Sequence, residues 1–156
     1  MLFAFAVLLR EQARRYPDRV IGVLSIRIVS ANLTRSTELI GKMSPYLELK
    51  IGGEMVHTTE VHARGGKTPA WNEAVQEYRV ERMNMEATWG VRDKDKFKVD
   101  IVGDGSCMLG EWCNQPNRNS DYPISHKGKA AGTVNITTNW TDFRPARAEE
   151  SQRLLV

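Results

Sequence analysis

Cysteine, long apolar runs and surplus charge are all scarce in this chain, and each scarcity excludes a class of protein. Its 156 residues hold two cysteines, Cys107 and Cys113. Their spacing matches neither a zinc-ligand pattern nor a disulfide-dense secreted scaffold and points to a reducing compartment. Histidine is also rare: His57 and His62 fall on a predicted strand, where residues five apart face opposite sides and cannot share an ion, and His126 sits in a Lys-Gly turn. No Ser, Cys or His stands where a nucleophile would meet its base, so no enzymatic activity, catalytic residue, metal or cofactor is expected. The apolar run from Met1 to Leu9 is far shorter than the roughly 20 residues a membrane-crossing helix needs. Its arginines follow it, unlike those of a signal peptide. The sequons at Asn32, Asn135 and Asn139 lack an export signal, and two lie on a predicted strand, so glycosylation is not expected.

The formal net charge is +3, and it is unevenly placed. Arg10, Arg14, Arg15 and Arg19 face only Glu11 and Asp18 in the first 21 residues, whereas residues 22–140 hold 15 Lys or Arg against 14 acids. A body this near neutrality lacks the one-sided basic face of a nucleic-acid binder.

What is present is an alternation of period two. Leu24, Ile26 and Ile28 alternate with Ser25 and Arg27, which predicts a strand with one buried face. Pro45 to Ile51 alternates again, and Gly52-Gly53 reads as a hairpin turn into Glu54 to Val61. A loop through Gly65-Gly66 and Pro69 precedes a strand from Trp71 to Val80, with Trp71 read as a core plug. Glu81 to Asp95 shows no firm period and stays unassigned. Phe97, Val99 and Ile101 predict the apolar face of a strand, Gly103-Asp104-Gly105-Ser106 a turn, Met108 to Cys113 a further strand, and Thr133 to Trp140 the last. Strands with turn signals between them and no interior helix describe a sandwich or barrel.

Four stretches in this order resemble the C2 domain, a calcium- and phospholipid-binding sandwich. They are Gly41-Lys42-Met43-Ser44-Pro45-Tyr46-Leu47, Lys67-Thr68-Pro69-Ala70-Trp71-Asn72-Glu73, Met108-Leu109-Gly110-Glu111, and Gly132-Thr133-Val134-Asn135-Ile136 leading to Trp140. The resemblance implies an all-β fold, an eight-stranded antiparallel Greek-key β-sandwich over residues 20–141. It would carry a short helical, apolar and basic extension over 1–19 and a tail over 142–156.

In that family calcium lies between the first and third loops, and the ion wants six to eight oxygen ligands, several of them carboxylates. Carried over, the first-loop ligand positions are Glu38 and Ser44. The third-loop positions fall on Gly103 and Gly105 around Asp104, or on Asp100 and Val102, with Cys107 before the apolar pair. One or two carboxylates would remain, so the resemblance implies a calcium-independent binding module. The candidate loop-tip contacts are Glu38, Leu39, Ile40, Lys42, Met43, Asp104 and Met108, the apolar ones suited to a membrane interface. A sheet face with Lys50, His57, His62, Arg64 and Lys67 is interleaved with Glu48, Glu54, Glu60 and Glu73, which cancel most of its attraction for anionic lipid. The apolar termini offer a second surface: Phe3, Phe5, Leu8 and Leu9 at one end, Leu154, Leu155 and Val156 at the other. The expectation is a scaffold module docking protein partners in a larger assembly, with peripheral phospholipid docking as the alternative. Its setting would be intracellular, cytoplasmic or peripheral to a membrane.

Overall fold

Alternation along Gly22–Leu33 forms β1, which buries Leu24, Ile26 and Ile28 and exposes Ser25 and Arg27. The structure is a computed structural model that describes residues 20–144 together with Ala4 and Val7. Apart from Ala4, Val7 and residues 142–144, the helical extension expected over 1–19 and the tail expected over 142–156, with Phe3, Phe5, Leu8, Leu9, Leu154, Leu155 and Val156, lie outside the described residues. Pro45, which has no backbone N–H to give a ladder, opens β2 (Pro45–Ile51). Gly52 and Gly53 both take positive φ, 60° and 83°, and turn the chain into β3 (Glu54–Thr58). Next come β4 (Ala70–Ala74) and β5 (Tyr78–Val80), both antiparallel to β1. Where a single strand from 71 to 80 was expected, the ladder breaks between Val75 and Glu77. Among the described residues the sheet therefore has nine strands rather than eight.

The remaining strands are β6 (Glu86–Lys94), β7 (Val99–Met108), β8 (Asn117–His126) and β9 (Lys129–Asp142). The sheet runs β3-β2-β6-β7-β8-β9-β1-β4, with β5 also on β1. It curls so that β7 and β8 share a single ladder pair, Asp104 with Ser125. On either side of that seam, β3-β2-β6-β7 forms one layer and β8-β9-β1-β4 the other. Between them lies one core, centred on Trp89, Trp112 and Tyr122, whose rings stand 5.1 to 6.1 Å apart.

Three expectations need correcting. Gly103 to Ser106 is not a turn but the middle of β7. A Cβ at Gly105 would collide with the indole of Trp89, its ladder partner on β6, and with the Pro123 carbonyl, so the glycine marks a close approach between neighbouring strands. Met108 to Cys113 is not a strand; Leu109–Glu111 is one turn of 3-10 helix. Trp71 is half-buried at the rim, its indole N–H donating to the Pro45 carbonyl at 3.2 Å. The central plug is Trp89 instead.

Candidate functional site

Strand direction decides which connections meet. β1 runs into the 34–44 loop, β3 into the 59–69 loop, β6 into the 95–98 turn and β8 into the 127–128 turn, all at one end of the sandwich. Asp93, the last inward residue of β6, fastens the first loop to this end. Its carboxylate accepts from the Thr37 hydroxyl at 2.6 Å and the Ser44 N–H at 2.7 Å. The Lys94 N–H returns a bond to the Ser44 carbonyl at 3.1 Å, and Asp95 N–H to Lys98 carbonyl closes the 95–98 turn at 2.9 Å. Beyond these anchors the tips are bare: Leu39 is 103% exposed, Ile40 91% and Phe97 95%. Gly41, at φ 90° with nothing near its missing Cβ, lets the chain turn back after the first tip.

Acids and lysines gather beneath the tips. Contact with Asp93, then slight desolvation and the Asp95 charge, push the Glu38 carboxyl above its ordinary value. Lys98 pairs with Asp100 at 3.1 Å. That contact, helped by Asp95 and Glu38, pushes its ammonium upward. Hard carboxylate oxygens are the right donors for calcium, but their arrangement does not suit a tight site. Both Asp93 oxygens are already hydrogen-bonded, Ser44 turns its backbone N–H inward, and Asp100 is paired with a lysine. Among the described residues no three His, Cys, Asp or Glu side chains form a group able to hold a metal ion.

The structure thus keeps Glu38, Leu39, Ile40 and Lys42 at the loop end and removes three other candidates from it. Met43 is 1% exposed, because the residue two before Pro45 continues the inward face of β2. Asp104 lies along β7 and pairs with Arg92 at 2.7 Å. Met108 ends β7 opposite Glu86, at the far end of the molecule. Missing from the sequence reading were Asp93, Asp95, Phe97 and the lysines around them. The signal was there, since Ala87, Trp89 and Val91 alternate into Asp93, which places Asp-x-Asp at a strand end. The sheet face with Lys50 and His57 is as mixed as expected, with Glu73 bonded to His57 at 3.0 Å.

Comparison with known proteins agrees with this geometry. A C2 domain of plant extended synaptotagmin 1 superimposes with a TM-score of 0.71, over 82% of this chain and 100% of that one, at 18% identity. The ingression protein fic1 of Schizosaccharomyces pombe is 38% identical over 118 residues, 74% of this chain and 43% of the relative. FT-interacting protein 4 of Arabidopsis thaliana is 35% identical over 82 residues, 51% of this chain and 10% of that protein. The 16 kDa phloem protein 1 of the same plant is 25% identical over 96 residues, and the match spans 61% of it. The chain spans less than two thirds of each of these curated relatives. The family model for the C2 domain matches residues 22–124, about two thirds of the chain. With its curled antiparallel sandwich and its loops gathered at one end, this chain belongs to the C2 domain family.

Proposed function

We propose that this C2 domain is a peripheral membrane-docking module that inserts its loop tips into a phospholipid surface without needing calcium. The observation that carries the reading is the full exposure of Leu39, Ile40 and Phe97 on two loops at the same end. Burying one such side chain is worth about 1.5–3 kcal/mol. Three of them, with Lys42, Lys94 and Lys96 near an anionic surface at about 1 kcal/mol each, suffice for reversible attachment. Asp93, bonded to Thr37 and Ser44, and Asp100, paired with Lys98, support independence from calcium. Binding is the whole activity in this reading, and no reaction is assigned. The scaffold reading rests on Phe3, Phe5, Leu8, Leu9, Leu154, Leu155 and Val156, all outside the described residues, so the geometry favours the membrane. No helix among the described residues is long and apolar enough to cross a bilayer.

The test is sedimentation with phosphatidylserine-containing vesicles in chelator, comparing the full chain with a Leu39→Ser, Ile40→Ser, Phe97→Ser variant. The parent should pellet, and the variant should bind at least about a hundredfold more weakly, the equivalent of about 3 kcal/mol. Equal binding by both would exclude the tips as the docking surface.

A further inference from the structure

We propose that the cleft where β7 and β8 diverge, walled by Arg35, Lys98, His126 and Lys127, binds the phosphate of a phosphorylated lipid headgroup. The inference deepens the membrane-docking reading and rests on it.

The topology opens the cleft. β7 and β8 share only the Asp104–Ser125 pair, so Val99 to Ile101 above it pair with β6 on one side and have no strand on the β8 side. The gap measures about 520 Å³ and is lined by Arg35, Ser36, Thr37, Lys98, Asp100, His126 and Lys127 among others. That is the size of a small-ligand site. Arg35 reaches into it from the base of the first loop and donates from Nη1 to the Ile101 carbonyl at 2.6 Å. One bond uses a fraction of a fork with five N–H donors and fixes its position for an anion.

Charge here differs from charge elsewhere on the molecule. Among the residues lining the gap three permanent cations, Arg35, Lys98 and Lys127, face one carboxylate, Asp100, which Lys98 already pairs; Asp95, Glu38 and Asp104 act from outside the lining. The Lys50 face, by contrast, alternates basic with acidic residues. Among the described residues neither Arg35 nor Lys127 has a carboxylate within the 4.0 Å of an ion pair. Desolvation, then the Arg35 and Lys127 charges, lower His126 from its ordinary 6.5, against the pull of Asp104. In either protonation state the imidazole has an N–H to donate to a phosphate oxygen. The hairpin turn also places Lys127 at φ 50°, a position that usually holds Asn, Asp or Gly. A lysine there costs some backbone strain and aims a cation at the end of the sandwich that faces the lipid. Ser36 and Lys98 sit at the roots of the two loops that carry Leu39, Ile40 and Phe97. Tip insertion would bring the cleft to headgroup depth.

The test uses the full chain and an Arg35→Gln, Lys127→Gln variant, with Lys50→Gln, Arg82→Gln as a charge-matched control far from the cleft. Each is sedimented with phosphatidylcholine vesicles with and without a minor fraction of phosphatidylinositol bisphosphate, and titrated with soluble inositol trisphosphate. The parent and the control should prefer the phosphorylated vesicles and bind the soluble probe. The cleft variant should lose about 30-fold on the phosphorylated vesicles, about 2 kcal/mol for two basic contacts, lose the soluble probe, and match the parent on plain vesicles. Equal loss in the control, or parent-like binding by the cleft variant, overturns the proposal. So does a parent that binds neither the phosphorylated vesicles nor the soluble probe. Should the Leu39, Ile40 and Phe97 variant keep its vesicle binding, the docking reading fails, and the soluble probe still decides whether the cleft holds phosphate.

Discussion

Cys107 and Cys113 are pushed from an ordinary 9.0 to about 12, each chiefly by burial, with Glu111 adding for the first and Asp142 for the second. The thiolate is the reactive form, so at pH 8 both should alkylate roughly a thousandfold more slowly than a free thiol. Mass spectrometry after a timed iodoacetamide pulse would show this. Labelling of native protein at the rate of a free cysteine peptide would contradict the burial. The same shift sets a stability trend. Below about pH 9 both folded and unfolded thiols are protonated and contribute nothing. Between 9.0 and about 12 only the unfolded chain gives up its protons, so stability falls as pH rises through that window. The cysteines are packing residues, and their scarcity in the sequence carried a clue to compartment but none to site.

At the scale of the element, the hairpin from β6 to β7 shows what period and turn chemistry reveal and what they hide. β1, β2 and β9 were legible because one face is uniformly apolar and glycine or proline bounds them. β6 was not: Met83 and Met85 before it and the buried Asp93 at its end blur the alternation of Ala87, Trp89 and Val91. Two glycines around an aspartate then drew the turn to 103–106, about eight residues past the real one, and displaced every third-loop position with it. The outward Phe97, Val99 and Ile101 added to the error, since they copy the pattern of a buried face. A glycine serves a turn through φ or a close approach through its missing Cβ, and sequence cannot tell these apart. Substitution can. Gly105→Ala should destabilise by about 1–3 kcal/mol, because the methyl meets the Trp89 ring and the Pro123 carbonyl. Denaturant melts unchanged by it would restore the turn reading.

For the whole molecule, the balance of charge at the loop end decides what calcium can do. The connections 34–44, 59–69, 95–98 and 127–128, with Asp93, Lys94 and Asp100, hold eight basic residues against five acidic ones. An end that carries a surplus of positive charge before any metal arrives has little negative potential for a divalent ion to relieve. With Asp93 held by Thr37 and Ser44 and Asp100 by Lys98, it also has few free ligands. The sequence reading reached a calcium-independent module by counting one or two acids at the wrong positions. With the turn at 95–98, Glu38, Asp93 and Asp95 are neighbours, and the proposed independence rests on the bonds that hold Asp93 and Asp100 and on the surrounding positive charge rather than on an absence of acids. A ligand at a hundred times its dissociation constant stabilises by about 2.7 kcal/mol, a rise of about 10 °C in melting temperature for a domain of this size. Millimolar calcium should instead shift the full chain by less than about 2 °C, and vesicle sedimentation in calcium should match that in chelator. A shift near 10 °C, or docking that requires the ion, would mean that calcium displaces the lysine pairing and that the loop carboxylates form a working metal site.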